Sequence, residues 1–224
     1  MNASRKKRPA LTRDLILQTA LTILDSQGAD GLSMRKLAAA LDVEAMSLYN
    51  HVKDKQDLLG GLVDLVLSRI ELPDQPQSWS QRLETIATKL YEALIQHPAL
   101  VLVISSEQGQ PSDLRVLQGM DSIVAALAES GLSPHQQVSA FRGLLAMCFG
   151  FVFTHTQGLS STKQQAERVW AAWDSGQWDS AALPHLARLA PQFLQTHADD
   201  DFRFMLNAYL TALRAAAGGK IGPA

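Results

Sequence analysis

Residues 45–51 (AMSLYNH) carry the side chains of this chain that are best suited to contacting the bases of a nucleic acid. Methyl groups and methionine can touch thymine methyl groups, asparagine can pair with adenine, and serine, tyrosine and histidine can bond base edges or phosphates. Leu48 and Val52 supply the apolar anchors that a helix over this segment needs. We call residues 45–51 the recognition segment. Its side chains free to face a groove are Ala45, Met46, Ser47, Tyr49, Asn50 and His51.

A second short helix must support the recognition segment, and residues 33–41 predict one. Ser33 lies where an N-cap hydroxyl would accept from a free backbone N–H, and Asp42 follows the helix as a turn residue that tolerates the left-handed conformation. Two short helices that meet at a tight turn predict a DNA-binding helix-turn-helix. The alternative is an ordinary helical hairpin whose outer face is only solvated. The apolar side chains at helical spacing that predict the supporting helix are Met34, Leu37, Ala38 and Leu41.

Charge is distributed unevenly along the chain. Residues 1–57 hold nine Lys and Arg against seven Asp and Glu, whereas the remaining residues hold eleven against fifteen. The RKKR run at 5–8 could lie along phosphates or enter a minor groove as a flexible arm, and the alternative is a solubility tail. The net charge of −2 and the pI near 6.3 exclude a generally basic protein that coats nucleic acid without regard to sequence.

Residues 12–70 resemble the N-terminal domain of the tetracycline-repressor (TetR) family of bacterial regulators, most plainly in LSMRKLAAALDVEAMSLYNHVKDKQDLL. The match combines a first helix over 13–27, the connector GADGLS, both helices of the motif and the KDK that starts a fourth helix. The chain departs from the family in the turn, where LDV replaces the usual glycine. We expect Asp42 to be accommodated there at small cost.

The resemblance implies which side chains meet DNA. The groove-facing side chains of the recognition segment would read the bases. Lys55, at the start of the next helix, would contact the DNA backbone. Three side chains at the start of the supporting helix would lie near phosphates, namely Ser33, Met34 and Arg35.

Length and composition indicate a globular, all-α protein. With 224 residues and 46% hydrophobic content, the chain can form a small DNA-binding domain and a larger domain with its own core. Helix-forming residues dominate, and the one Asp-Gly pair, at 30 and 31, joins two helices rather than two strands. The single Cys148 cannot form an intramolecular disulfide, which fits the reducing cytoplasm. Asp14 and Asp25 interrupt the N-terminal apolar residues, so we expect a helix of the fold there rather than a signal peptide.

We expect five segments along the chain. They are a flexible basic arm over 1–12, a three-helix helix-turn-helix domain over 13–58, a connecting helix over 59–72, a larger helical ligand-binding and dimerisation domain over 73–217, and a frayed tail over 218–224. The connecting helix continues from the DNA-binding domain, and its full length is predicted over 54–71. Pro73 marks the break that follows it.

Two helices of the larger domain are too apolar for a single buried face. The helix predicted over 134–155 carries Phe, Leu, Met and Val around its circumference, and the last helix, over 202–216, is similarly apolar. A homodimer would cover the second side of each. WSQRL at 79–83 and DFRFMLNAYLTALRAA at 201–216 are similar to the tetracycline-repressor type of C-terminal domain, which implies a two-fold dimer through a four-helix bundle. Two motifs about 34–36 Å apart then require a palindromic operator.

The resemblance also implies a small-molecule pocket in each larger domain. Plain core packing is the alternative for every candidate residue, since aromatic residues at helical spacing usually fill cores. The metal-chelating His and Glu of tetracycline repressors would fall near Leu102 and Thr154, so we expect no metal, no cofactor and no magnesium–tetracycline effector. The candidates are Tyr91, Leu94, Leu102, Phe141, Leu145, Phe149, Trp170 and Trp173, with the two tryptophans favoured as a pocket wall or lid.

We therefore expect a cytoplasmic, ligand-responsive regulator of transcription, a repressor that leaves a palindromic double-stranded DNA operator when a small-molecule effector binds. The alternative is an architectural or tethering DNA-binding protein of the same fold that needs no effector. An enzyme is not expected, because no catalytic motif occurs and no carboxylate is placed to orient His155 near Cys148. A membrane protein is not expected either, since the apolar part of residues 143–162 is too short to span a bilayer.

Overall fold

The computed structural model of the chain describes residues 10–72, 77–106, 111–156, 171, 181–193 and 198–218. All regular structure in these ranges is α-helical, as the composition predicted. We number the helices in chain order. They are α1 (Arg13–Gly31), α2 (Met34–Leu41), α3 (Ala45–Leu48), α4 (Lys55–Leu67), α5 (Trp79–Gln96), α6 (Ala99–Ser105), α7 (Leu114–Ala128), α8 (Pro134–Thr156), α9 (Pro184–Phe193) and α10 (Ala198–Gly218).

The chain divides into two compact units. Unit 1 comprises Met1–Arg69 and Leu102–Val116, and unit 2 comprises Ile70–Val101 and Leu117–Ala224. This division differs from the sequence-based one, which assigned all of 73–217 to the larger domain and placed Leu102 there. The segment Leu102–Val116 joins unit 1 because it contacts α4, as the hydrogen bonds of Asp64 show below.

In unit 1, α1 packs against α2 and α4, and α2 packs against α3. The apolar stripes of these helices form the core, whose fully buried side chains include Ile16, Leu24, Leu37, Leu48, Leu58 and Leu62. Gly28, with φ of 72°, interrupts the helical backbone of α1 close to the predicted end at residue 27. Only glycine adopts such a conformation without strain.

Hydroxyl and carboxylate side chains cap the first turns of several helices. Thr12 Oγ1 accepts from Leu15 N at 3.2 Å, and Asp54 Oδ1 accepts from Asp57 N at 2.8 Å. In unit 2, Ser78 forms a capping box with Gln81 at the start of α5. Each cap satisfies a backbone N–H that has no partner within its own helix.

Helix α4 ends at Leu67, so the predicted continuous helix over 54–71 is too long. Ser68 N still donates to Asp64 O, four residues back, as in an α-helix. Arg69 N donates instead to Val66 O, only three residues back, and residues 70–72 are not helical. Leu72 precedes Pro73, and a residue before proline is disfavoured in the helical conformation.

In unit 2, α5 packs against α8 and α10, and α8 packs against α10. Tyr91 of α5 stacks on Phe202 of α10 with ring centroids 4.0 Å apart, and Phe151 of α8 meets the same ring edge-on at 5.7 Å. Tyr209 of α10 donates to Ala140 O at 2.6 Å. The lack of a Cβ at Gly143 admits this tyrosine, because a Cβ there would lie 2.9 Å from the Tyr209 hydroxyl.

Helix α8 buries one face only. Ala140, Leu144, Cys148 and Val152 are buried at every fourth position, whereas Phe153 on another face is 42% exposed. By length and composition α8 could cross a membrane, with a mean hydropathy of 1.4. The prediction for the membrane concerned only the apolar part of residues 143–162, whereas the complete helix begins at Pro134. Core helices pass the same test, and this one packs on α5 and α10.

Candidate nucleic-acid interface

The turn between α2 and α3 is built on a left-handed residue. Asp42 has φ of 53° and ψ of 49°, which confirms the prediction for this position. Its N–H donates to Ala39 O at 3.2 Å, and Val43 N donates to Ala38 O at 3.0 Å, so carbonyls at the end of α2 are satisfied. Aspartate adopts this conformation more readily than most residues other than glycine.

Helix α2 is capped as the sequence predicts. Ser33 Oγ accepts from Lys36 N at 3.2 Å, while Leu37 and Ala38 are buried. Met34 is half-buried and Arg35 is exposed. The positive charge that opens this helix therefore lies at the surface, where a phosphate could reach it.

The helical part of the recognition segment is shorter than predicted. Helix α3 ends at Leu48, and residues 49–51 form a turn rather than more helix. Tyr49 N donates to Met46 O and His51 N to Leu48 O, which are three-residue bonds typical of a tightened last turn. Val52 N then returns to Leu48 O at 3.0 Å.

The inward and outward sides of the recognition segment follow the prediction. Leu48 and Val52 are 0% and 1% exposed, whereas Met46 is 73% exposed and Tyr49 is 44% exposed. Asn50 and Lys55 are exposed as well, and the side chains of intermediate exposure are Ala45, Ser47 and His51. An apolar methionine held in solvent by buried anchors is a surface that suits a base edge. DNA contact by these side chains stays a prediction.

Arg13 holds the recognition segment against α4. Its Nη1 donates to His51 O at 2.9 Å and to Asp57 Oδ2 at 3.0 Å, and its Nη2 donates to Asp57 Oδ1 at 2.7 Å. Asp57 Oδ2 also accepts from Lys53 N at 2.8 Å. The hydrogen bond from Arg13 lowers the pKa of the Asp57 carboxyl, and the same bond raises the pKa of Arg13. We call this arrangement of Arg13, Asp57 and the His51 carbonyl the Arg13 clasp.

Other charged side chains at this surface were not among the sequence-based candidates. Lys53 is exposed beside Lys55, and Lys36 donates to Gln27 Oε1 at 3.1 Å. Glu44 is exposed at the N-cap position of α3, where its side chain makes no capping bond. The lysines reinforce the positive charge of the surface, and the carboxylate of Glu44 lies next to the groove-facing residues.

A cavity of about 130 Å³ lies between α5 and α10 in unit 2. Of the eight predicted ligand-binding residues it contains Tyr91, whose hydroxyl donates to Asp199 Oδ1 at 3.1 Å. Burial raises the pKa of Tyr91 to about 12. Pockets for drug-sized ligands usually measure about 300–1,000 Å³, so this cavity suits a smaller group. Its lining is Thr88, Tyr91, Glu92, Ile95, Gln96, Asp199, Phe202 and Arg203.

The other predicted ligand-binding residues that the structure describes do not line that cavity. Leu94 is fully buried in the core, and Leu102 is 42% exposed and belongs to unit 1. A ligand-binding role for Leu102 stays a prediction. One stripe along α8 holds Phe141, Leu145 and Phe149, all half-buried. Trp170 and Trp173 lie outside the described residues.

Cys148 and His155 of α8 have separate surroundings. The thiol is fully buried near Ala87 O, and burial raises its pKa to about 12, so it is not a thiolate at neutral pH. His155 Nδ1 lies 2.8 Å from Phe151 O, and its Nε2 lies 3.9 Å from Asp201 Oδ2. Asp201 of α10 thus lies near His155, but at a distance too long for a hydrogen bond that would orient the ring.

Two family profiles match this sequence. Residues 16–62 match the profile described as "Bacterial regulatory proteins, tetR family", and residues 72–216 match "Tetracyclin repressor-like, C-terminal domain". The first range contains the helix-turn-helix described above, and the second contains α5 to α10 except for the end of α10.

Named relatives align over most of the chain. An HTH-type transcriptional regulator of Saccharopolyspora erythraea is 32% identical over 96% of this chain and 89% of its own length. The HTH-type transcriptional repressor DrrR1 of Streptomyces coeruleorubidus is 31% identical over 83% of this chain and 67% of its own length.

Solved structures share the fold. Apo ActR from Streptomyces coelicolor aligns with a TM-score of 0.77 at 27% identity, covering 95% of this chain and 99% of ActR. ActR in complex with actinorhodin aligns with a TM-score of 0.76 at 27% identity, covering 94% of this chain and all of ActR.

Proposed function

This chain belongs to the TetR family of bacterial regulators, because it matches the N-terminal and C-terminal profiles of that family, and we propose its function from this premise. It is a DNA-binding transcriptional regulator that responds to a ligand. We propose that it acts in the cytoplasm as a repressor, occupying a palindromic operator as a homodimer until a small molecule releases it. The observation that carries the DNA-binding part is Met46, which is 73% exposed although the fully buried Leu48 follows it by only two residues.

The proposed contacts with DNA follow the exposure of the reading surface. Met46 and Tyr49 offer apolar and aromatic atoms to the major groove, and Asn50 offers both a donor and an acceptor. Arg35 and Lys55 are exposed on either side of the recognition segment along the chain, and Ser33 and Met34 open α2 beside Arg35. The cations would bind phosphates and set the register on the duplex, and the recognition segment would read sequence.

The proposed homodimer would cover the apolar faces that unit 2 leaves exposed. On α8, Val138 and Phe153 are 49% and 42% exposed, and on α10, Phe204 and Met205 are 73% and 43% exposed. Exposed residues of small volume accompany them, including Ala146 and Gly150 on α8 and Ala208 and Ala212 on α10. Large side chains from one copy could therefore pack over small ones of the other, as in helix bundles. We propose this packing, rather than a bilayer, as the partner of the apolar α8.

The proposed effector is a small organic molecule that binds unit 2. Support comes from the structural relative ActR, which has been solved with actinorhodin and with (S)-DNPA. The candidate lining comprises Tyr91 at the cavity and the half-buried stripe of Phe141, Leu145 and Phe149 on α8. We propose an effector that needs no metal, because Leu102 and Thr154 stand near the positions of the metal-chelating side chains of tetracycline repressors.

The effector-independent alternative rests on the size of the cavity. At about 130 Å³, the α5–α10 cavity is smaller than pockets that enclose drug-sized ligands. An architectural DNA-binding protein would show no thermal stabilisation by any compound. An effector at a hundred times its dissociation constant should instead stabilise the fold by about 2.7 kcal/mol.

In-vitro selection of duplexes from a random pool tests the proposed function directly. We expect the protein to enrich a palindrome whose half-sites are separated by about one helical turn or a multiple of it. Addition of candidate aromatic compounds to the complex should then release the enriched duplex in a gel shift. Failure to enrich any sequence at low ionic strength would contradict the proposal, and enrichment without release by any compound would favour the alternative.

A further inference from the structure

The guanidinium of Arg13 joins three parts of unit 1 that are far apart in sequence. Arg13 opens α1, the His51 carbonyl ends the recognition segment, and Asp57 lies in the first turn of α4. Both oxygens of Asp57 accept from the guanidinium, at 2.7 and 3.0 Å. A bidentate pair of this kind fixes direction as well as distance.

The recognition segment needs such external support because it has little internal structure. Helix α3 contains only residues 45–48, and a single helical turn is unstable without tertiary contacts. Leu48 and Val52 anchor the segment through burial. Burial of two apolar side chains keeps the segment from leaving the core, but it leaves the segment able to rotate and to shift along the core surface. The bond from Arg13 Nη1 to His51 O fixes the C-terminal end of the segment, directly after Tyr49 and Asn50.

The bidentate pair of Arg13 and Asp57 also determines where α4 begins relative to the C-terminal end of the recognition segment. Asp57 Oδ2 accepts from Lys53 N at 2.8 Å in addition to Arg13. The backbone between His51 and Asp57 is therefore held at both ends by one carboxylate and one guanidinium. Lys55, the proposed phosphate contact, lies within this stretch.

We propose that Arg13 is a positioning residue for sequence reading: the Arg13 clasp fixes the distance between the base-reading side chains and the phosphate-binding Lys55. This inference rests on the proposed function. Arg13 acts through the His51 carbonyl and Asp57 and does not itself contact DNA. Its loss therefore weakens binding to the specific duplex more than binding to unrelated duplexes, because unrelated binding depends on phosphates and tolerates changes of register.

The test compares Arg13→Gln, Arg13→Lys and wild type on two probes, the palindrome enriched by wild-type protein and a scrambled duplex of equal length. We expect Arg13→Gln to lower the ratio of specific to unspecific affinity by about tenfold, a loss comparable to one mismatched base pair. We expect Arg13→Lys, which retains one charged donor without the fork, to give a smaller loss. Binding to the scrambled duplex should change less than about twofold in both.

Arg82→Gln is the matched control, because Arg82 pairs with Glu129 in unit 2 and the recognition segment belongs to unit 1. It should leave the ratio of affinities unchanged. The salt dependence of the affinity distinguishes a positioning role of Arg13 from a direct contact between Arg13 and a DNA phosphate. Loss of a phosphate contact would lower the salt slope by about one and weaken both probes alike, whereas loss of the clasp should leave the slope unchanged.

Several outcomes would overturn the inference. A folded Arg13→Gln variant with the wild-type ratio would do so, as would equal weakening on both probes with a reduced salt slope. If Arg13→Gln loses its far-UV circular dichroism, Asp57→Asn provides a second route, since it keeps an oxygen acceptor but cannot form the charged fork. Its ratio should also fall. Failure of the proposed function is distinguishable, because wild-type protein would then enrich no palindrome at all.

Discussion

Tyr49 ends the single turn of α3 with its side chain 44% exposed and its backbone N–H bonded to Met46 O. Removal of its ring therefore leaves the fold of unit 1 intact. We expect Tyr49→Ala to weaken binding to the enriched duplex at least about tenfold, as loss of one base-contacting side chain does. Gel-shift titration measures the affinity, and an unchanged elution volume confirms that assembly is preserved. Wild-type affinity in this variant would remove Tyr49 from the reading surface.

The low pKa of Asp57 predicts how acid affects unit 1. The Arg13 hydrogen bond lowers the folded-state pKa below the ordinary value of 3.8, so the ionised carboxylate stabilises the folded state at every pH above that value. This stabilisation is lost as pH falls through the lowered pKa. We expect the difference in unfolding free energy between wild type and Asp57→Asn to be largest near neutral pH and to shrink below about pH 4. Urea titrations at several pH values measure it, and a difference independent of pH would contradict the assignment.

Single residues differ in how far the sequence revealed them. Leu48 and Val52 were predicted as anchors because burial follows local periodicity, and Asp42 because its turn chemistry is local. The role of Arg13 could not be predicted, since its partners lie 38 and 44 residues away. Contacts at that separation depend on how helices pack, which no spacing within one helix records.

Close packing of α1 against α4 makes Gly61 a constrained position. A Cβ on Gly61 would lie 2.8 Å from Leu17 Cδ2 and 3.1 Å from Arg13 Nη2, whereas one on Gly119 of α7 meets nothing within 4 Å. We expect Gly119→Ala to stabilise the protein by about 0.5–1 kcal/mol through helix propensity. Gly61→Ala should destabilise it by about 1 kcal/mol through overpacking. Chemical unfolding measures both, and a stabilised Gly61→Ala would show that Leu17 moves aside freely.

The start of α7 is capped from a distant helix. Asp64 of α4 accepts from Ser112 N at 3.0 Å, from Ser112 Oγ at 2.7 Å and from Asp113 N at 3.0 Å. We expect Asp64→Ala to cost about 1 kcal/mol, a typical N-cap loss, and to speed hydrogen exchange at the amides of Ser112 and Asp113. Asp64→Asn, which keeps an acceptor, is the control and should exchange nearly as slowly as wild type. Equal exchange in Asp64→Ala and wild type would rule out the cap.

Helix boundaries were predicted less well than helix identity. The bounds of α7 and α8 lie within a residue of the predicted 114–129 and 134–155, because Gly131 and Pro134 mark the break between them. Helix α3 and the end of α4 were predicted too long. There the helix gives way to tighter turns whose bonds compete closely with helical ones, and hydrophobic periodicity does not distinguish the two.

The proposed homodimer would cover surfaces that a single chain leaves exposed. Phe204 of α10 is 73% exposed, which is unusual for so large an apolar side chain. We expect Phe204→Glu to convert the dimer to a monomer and to weaken operator binding about a hundredfold or more, because one motif makes few contacts. Light scattering after size exclusion measures the mass. Leu117→Glu, at a 45% exposed position on α7, is the control and should remain dimeric.

The effector site is the part that sequence reasoning resolved least. Side chains that line a pocket and side chains that fill a core share the same helical spacing, so the pattern alone could not separate Tyr91 from Leu94. Both side chains are buried, but Tyr91 lines a cavity and Leu94 does not.

The division of labour within the recognition segment has an evolutionary consequence. Met46, Tyr49 and Asn50 project outward, while Leu48, Val52 and the Arg13 clasp keep the backbone in place. Substitutions at the outward positions therefore carry little penalty for folding and can accumulate by neutral drift. After gene duplication, one copy could acquire a different operator while it keeps its sensing domain, so that a regulon is rewired without a new receptor.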